Sequence, residues 1–138
     1  MTTARDIMHA GVEIIHDHDS LAEAARRMRD RGIGALPICD TDGRPIGIVT
    51  DRDIVIRCLA TGANPEQVSA AKLAQGTLHT VSPDTDTSAV LELMRQHRIR
   101  RLPVLEHNRL VGIITEGDLA RRLPEEEVGE FIEAVCAP

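Results

Sequence analysis

Aromatic side chains are almost missing from this chain of 138 residues: Phe131 is the only Phe, and there is no Trp or Tyr. Binders of single-stranded nucleic acid stack bases on aromatic platforms, and this sequence has none to offer. Positive charge is also in deficit, with 16 Lys and Arg against 22 Asp and Glu and a net charge of −6. That balance argues against non-specific attraction to nucleic acid or anionic lipid. Cysteine is sparse: Cys39, Cys58 and Cys136 are odd in number, far apart and without a Cys-x-x-Cys spacing. Reduced thiols in a cytoplasmic protein fit that pattern, with a bridge between molecules through Cys136 as the lesser alternative. No apolar run reaches the roughly 18 residues of a membrane span. Met1-Thr2-Thr3-Ala4-Arg5-Asp6 lacks the basic-then-apolar order of a signal peptide. Nor is there a Ser-His-Asp, Cys-His or P-loop pattern in a supporting context, and no enzyme activity is expected.

What is present is a repeat. Gly47-Ile48-Val49-Thr50-Asp51-Arg52-Asp53 returns as Gly112-Ile113-Ile114-Thr115-Glu116-Gly117-Asp118. Upstream, Met28, Arg29, Ile33, Leu36 and Pro37 match Met94, Arg95, Ile99, Leu102 and Pro103 at a constant shift. One residue is lost in the second copy's turn, after which Arg57 matches Arg122. Two copies are too few for a solenoid, so two halves packed about a pseudo-twofold axis are expected. A hydrophobic content of 42% is enough for such a body.

Each copy reads strand, helix, strand, strand, helix. In the first, Val12 to His16 is a strand, and Ser20-x-x-Glu23 is a capping box opening a helix. Leu21, Ala24, Ala25 and Met28 form its apolar stripe, and Gly32 its left-handed cap. Strands at Gly34 to Cys39 and Pro45 to Val49 flank Asp40-Thr41-Asp42-Gly43, a hairpin signal. Thr50 then opens a helix carrying Ile54, Val55 and Leu59. In the second copy, Leu78 to Val81, Arg101 to Leu105 and Leu110 to Ile114 are strands. Val90, Leu91 and Met94 line one helix, and another runs from Thr115 to Leu123. Ser69 to Ala74 echoes a short helix at Ala4 to Met8. Residues 124–138 form a last helix with Val128, Phe131, Ile132 and Val135 on one face. The expected division is a first domain over 1–62, a linker around 62–68, a second domain over 63–123, and the terminal helix.

The chemistry sits at the end of each copy. Asp53 and Asp118 can each accept two hydrogen bonds from a cis-diol such as a ribose offers. Thr50 and Thr115, three residues earlier, stand at helix starts, where a hydroxyl either caps the helix or meets a ligand. The copies differ at one place: Arg100 and Arg101 stand where the first has Gly34 and Ala35. One of these guanidinium groups is expected to face a ligand phosphate, or else to pair with Glu92, Glu116 or Asp118.

This duplicated β-α-β-β-α order, closed each time by Gly-h-h-Thr-x-x-Asp (h, apolar), resembles a tandem pair of cystathionine β-synthase (CBS) domains, a Bateman module. The short stand-alone type is the most similar, on Asp6-Ile7-Met8, Gly34-Ala35-Leu36-Pro37-Ile38-Cys39 and Thr50-Asp51-Arg52-Asp53-Ile54-Val55. The resemblance implies an α/β fold of two CBS domains. It also implies an adenosine-type ligand (AMP, ADP, ATP or S-adenosylmethionine) in the cleft between them. The residues it points to are Thr50, Asp53, Thr115, Asp118, Arg100, Arg101, Ala35, Pro37, Leu102, Pro103, Ile14 and Thr80. It further implies a regulatory role in a stress or energy-state response, a homodimer and a protein partner yet to be identified. A ligand-free interaction protein and a zinc protein are the alternatives. Zinc needs three or four convergent ligands, which the six histidines do not guarantee; His97 is the first candidate.

Overall fold

The computed structural model describes residues 2–74 and 78–136. The chain divides into two compact units, one spanning Glu13–Leu78 and the other joining Met1–Val12 to His79–Pro138. The first is built on the first copy of the repeat and the second on the second copy. No helix among the described residues is long and apolar enough to cross a membrane.

In the first-copy unit, β1 (Ile15–His16) runs parallel to β2 (Ala35–Cys39), which pairs antiparallel with β3 (Pro45–Thr50). The strand expected from Val12 shortens to two residues. Gly11 takes a left-handed φ of 70°, and the Ile14 carbonyl accepts from Arg27 Nη1 at 2.6 Å instead of joining a ladder. Helix α2 (Leu21–Arg31) starts at Ser20, whose Oγ accepts from the Glu23 amide at 3.1 Å, and ends on left-handed Gly32. Only half of the expected capping box forms, because the Glu23 carboxylate turns to Arg26 and Arg27. The buried face holds Leu21, Ala22, Ala24 and Met28; Ala25 is exposed. Asp40 shapes the hairpin by accepting from the Asp42 and Arg44 amides, both at 2.9 Å. Helix α3 (Asp51–Arg57) buries only Ile54, and the expected stripe partners Val55 and Leu59 are about half exposed, as is Ile56. A 3-10 turn at Ala70–Leu73 completes this core, with Ala70 and Leu73 packed among Ile15, Leu36, Ile38 and Val49.

In the second-copy unit, α1 (Ala4–Ile7) precedes a single antiparallel bridge between His9 and Ile113. Helix α4 (Thr87–His97) buries Val90, Leu91 and Met94 as the periodicity predicts. Strands β4 (Arg101–Glu106) and β5 (Arg109–Thr115) form a hairpin whose turn residues His107 and Asn108 both have positive φ. That is the requirement of a two-residue turn matched to strand twist. The strand expected at Leu78–Val81 reduces to one parallel bridge from Val81 to Val104. Helix α5 (Glu116–Arg122) follows the motif threonine, and α6 (Glu125–Cys136) closes the unit. Phe131 and Val135 of α6 enter the core beside Val90, Leu91, Met94 and Leu119, while Ile132 remains 37% exposed.

The short helical segments cross over. Ala4 and Ile7, which precede the first copy in sequence, lie in the second-copy core, and Ala70 and Leu73, which precede the second copy, lie in the first-copy core. The crossing explains the glycine of the motif. A Cβ on Gly47 would stand 2.8 Å from Ala74 Cβ and 2.9 Å from its Cα. One on Gly112 would meet the Met8 side chain and stand 3.0 Å from the His9 carbonyl oxygen. Each glycine clears a track on the closing strand for the chain that runs over it.

Candidate ligand site

Each motif delivers an apolar strand into a helix through an extended threonine. Thr50 has φ −115° and ψ 162°, Thr115 has φ −120° and ψ 169°, and both act as helix N-caps. In the first copy, Thr50 Oγ1 accepts from the Asp53 amide at 3.1 Å, and the Thr50 amide donates to Asp53 Oδ2 at 3.0 Å. This is a reciprocal capping box with Asp in place of the usual Glu. The second copy repeats it at 3.3 and 2.9 Å. The threonines therefore cap their helices, and what each carboxylate has left over decides what it can bind.

The leftovers differ. Asp118 is 4% exposed and is the buried charged residue among the described ones. Its Oδ2 also accepts from the Thr115 hydroxyl at 3.0 Å and contacts His9 Nδ1 at 2.8 Å, while Oδ1 accepts from Arg121 Nη2 at 2.8 Å. Burial pushes the Asp118 pKa up, but the Thr115 amide, His9 and the Thr115 hydroxyl outweigh it, holding the carboxyl below its ordinary value. A carboxylate with a depressed folded-state pKa stabilises the fold above the ordinary carboxylate range, and that stability is lost as pH falls through the folded value. Asp118→Asn is accordingly expected to unfold earlier in urea at pH 7, with the gap from wild type closing below about pH 4. A gap of the same size at pH 7 and pH 3 would contradict this.

The other expected residues fall into the same two sets. Ala35 lies opposite Thr50 and Pro37 opposite Ile48 in the β2–β3 ladder, and Ile14 is half-buried beside β1. Arg101 lies opposite Thr115, Pro103 opposite Ile113, and Thr80 is half-buried before the Val81 bridge. Leu102 is fully buried in the core, and Pro37 and Pro103 are buried as well, so these three present little surface to a ligand. Arg100 Nε pairs with Glu116 at 3.6 Å, and its Nη2 lies 3.4 Å from Cys136 Sγ. His9 and Arg121 were not among the expected residues. Arg121, three positions after Asp118 on one helix face, is readable as an ion pair; His9 is 109 residues away and leaves no local signal.

His97, the zinc candidate, has a neighbour: its ring stacks on His79 with centroids 3.8 Å apart. Among the described residues no group of three or more His, Cys, Asp or Glu is arranged to hold a metal. No disulfide links the cysteines; Cys39 and Cys58 are buried, Cys136 is exposed, and burial raises the Cys39 pKa. A cavity of about 430 Å³ lies between α4, α6 and the chain start, lined by Asp86, Arg95, Arg122, Glu127 and Phe131. Neither motif contributes its Thr or Asp to it.

The CBS domain family model matches residues 4–59 and 72–125. The chain is 48% identical to Hypoxic response protein 1 of Mycobacterium tuberculosis, over 100% of this chain and 96% of that protein. It superposes with a TM-score of 0.81 on the crystal structure of Hypoxic Response Protein I with two coordinated zinc ions. There the identity is 49%, over 89% of this chain and 100% of that one. A conserved CBS domain protein of Thermoplasma acidophilum, TA0289, shares the fold with a TM-score of 0.83 at 21% identity, over 96% and 75% of the two chains. With two matched segments, two complete motifs and a near-full-length relative, this chain belongs to the CBS domain family.

Proposed function

We propose that this chain is a regulatory sensor whose CBS domains bind an adenosine-type nucleotide through the ribose. The observation that carries the reading is the Thr50–Asp53 pair: a capped helix start whose carboxylate, among the described residues, accepts only from the Thr50 amide. An ionised carboxylate has about four acceptor positions, so a ribose diol finds room on Asp53. Ala35, half-buried on β2 and opposite Thr50 in the ladder, lies near the motif, whereas Pro37 is buried. A ligand alters such a protein only by its different affinity for two states, which a partner then reads. The name of the mycobacterial relative supports a stress response as the setting.

Calorimetric titration of nucleotide-stripped protein with AMP, ADP, ATP and S-adenosylmethionine tests the reading. One of these is expected to bind, and Asp53→Ala to weaken it roughly 10- to 100-fold, the cost of losing hydrogen bonds to a charged group. Absence of binding at millimolar ligand would refute the proposal.

A second reading, zinc binding, is favoured by the His79–His97 stack and by the two zinc ions of the solved relative. Two imidazoles supply half of a tetrahedral set, and among the described residues no third His, Cys, Asp or Glu joins them. Metal analysis of untagged protein is expected to find zinc that His97→Ala reduces. Zinc-free protein that also fails to take up added zinc would remove the reading.

A further inference from the structure

Among the described residues, the two copies of the motif give their carboxylates different partners. Asp118 accepts from the Thr115 amide, the Thr115 hydroxyl and Arg121, and its Oδ2 lies against His9 Nδ1, each at 2.8 to 3.0 Å. Three of these partners crowd Oδ2 and one takes a position on Oδ1, so no pair of open acceptor positions remains for a diol. We infer that the second copy is a self-occupied site: His9 and Arg121 take the positions on Asp118 that a ribose diol would need, and the ligand is directed to the Thr50–Asp53 copy. The inference rests on the nucleotide reading above and assigns its site.

His9 is not a loose side chain that happens to touch Asp118. Its amide donates to the Ile113 carbonyl at 3.0 Å, and the Ile113 amide donates back to the His9 carbonyl at 3.1 Å. Gly112 gives the segment the close approach that this bridge needs. The backbone thus presents the imidazole to a carboxylate three residues beyond the end of β5, in the first turn of α5. Arg121 comes from α5 itself, one turn after Asp118. Hydrogen bonds of a guanidinium to a carboxylate are among the stronger ones in proteins, and a neutral hydroxyl competes poorly for the same oxygen.

The first copy lacks one of these two donors by sequence. The position matching Arg121 is Ile56, which is 50% exposed and has nothing to donate. Substitution of one residue by the other between copies converts a carboxylate clamped from the helix side into one that is not. The difference needs no change in the motif letters, which are complete in both.

The test follows assigned amide resonances of isotope-labelled full-length protein during titration with AMP. In wild type, the Thr50–Asp53 amides are expected to move and the Thr115–Asp118 amides to stay. In the double variant His9→Ala with Arg121→Ala both sets move, with apparent affinity at the second copy rising about tenfold or more. In ligand-free wild type, the His9 ring ¹⁵N shifts are expected to show Nδ1 as the protonated, hydrogen-bonded nitrogen, and to change in Asp118→Asn, which keeps the side-chain shape. Movement at Thr115–Asp118 in wild type overturns the self-occupied site alone, as does a His9 ring insensitive to Asp118→Asn. AMP that moves neither set in either protein overturns the nucleotide reading, and the assignment of its site falls with it.

Discussion

Phe131→Ala is expected to destabilise the second-copy unit by roughly 3–5 kcal/mol, the range for emptying a buried aromatic site. Phe131 is 1% exposed and reaches from α6 into the cluster formed by Val90, Leu91, Met94 and Leu119. It is the chain's only large aromatic side chain, and no neighbouring ring can slide over to refill its space. Among the described residues, the surface tie between α6 and α4 is the side-chain pair of Arg95 and Glu130 at 3.4 Å, an exposed pair worth little. Burial of Phe131 and Val135 therefore carries the attachment. Ile132→Ala, one residue on, serves as the comparison: at 37% exposure it should cost about 1 kcal/mol or less. The absence of Trp and Tyr means urea unfolding has to be followed by circular dichroism. Equal midpoints for the two variants would show that α6 is not part of the core.

Gly112→Val ranks next. The new side chain would press its Cβ to 3.0 Å from a backbone oxygen, that of His9, and into the Met8 side chain as well. A flexible side chain can yield, but the carbonyl is held by the Ile113 amide. Overpacking of this kind costs typically 1–3 kcal/mol, and here the segment that must move also carries the imidazole on Asp118. Loss of stability and loss of the His9 contact are expected together. Gly129→Ala in α6 is the contrasting change. Nothing lies within 4 Å of its added Cβ, and removing a glycine from a helix interior should stabilise by about 1 kcal/mol. If Gly112→Val were as benign, the close passage over β5 would be wrong.

Most of the fold is legible in the sequence because it is local. Ser20, Thr50 and Thr115 announce helix starts, Gly32 an end, and the apolar runs around the two hairpins locate β2 to β5 within a residue or so. Where the reading slipped, tertiary partners decided. Ala22 rather than Ala25 faces the core because an alanine fits either side of an apolar stripe, and the helix phase is set by Leu21, Ala24 and Met28. Val55 and Leu59 look like core residues, but α3 is too short to bury more than Ile54 and ends before Leu59, which falls in the 3-10 turn that follows. At the candidate site the Thr-x-x-Asp capping box was readable, and Arg100 did find one of its anticipated partners, Glu116. The state of each carboxylate was not. Whether Asp118 is clamped depends on a histidine that only the folded chain brings near, and sequence distance conceals it.

The crossing of the short helices has a consequence for the order in which the protein is made. The unit spanning Glu13–Leu78 is continuous, so a growing chain holds all of it once residue 78 has emerged, and its core can close while synthesis goes on. The other unit needs Ala4 and Ile7 together with Leu119 and Phe131, which follow much later in the chain. Of the helices described, α1 is thus the earliest made and among the last to find its partners.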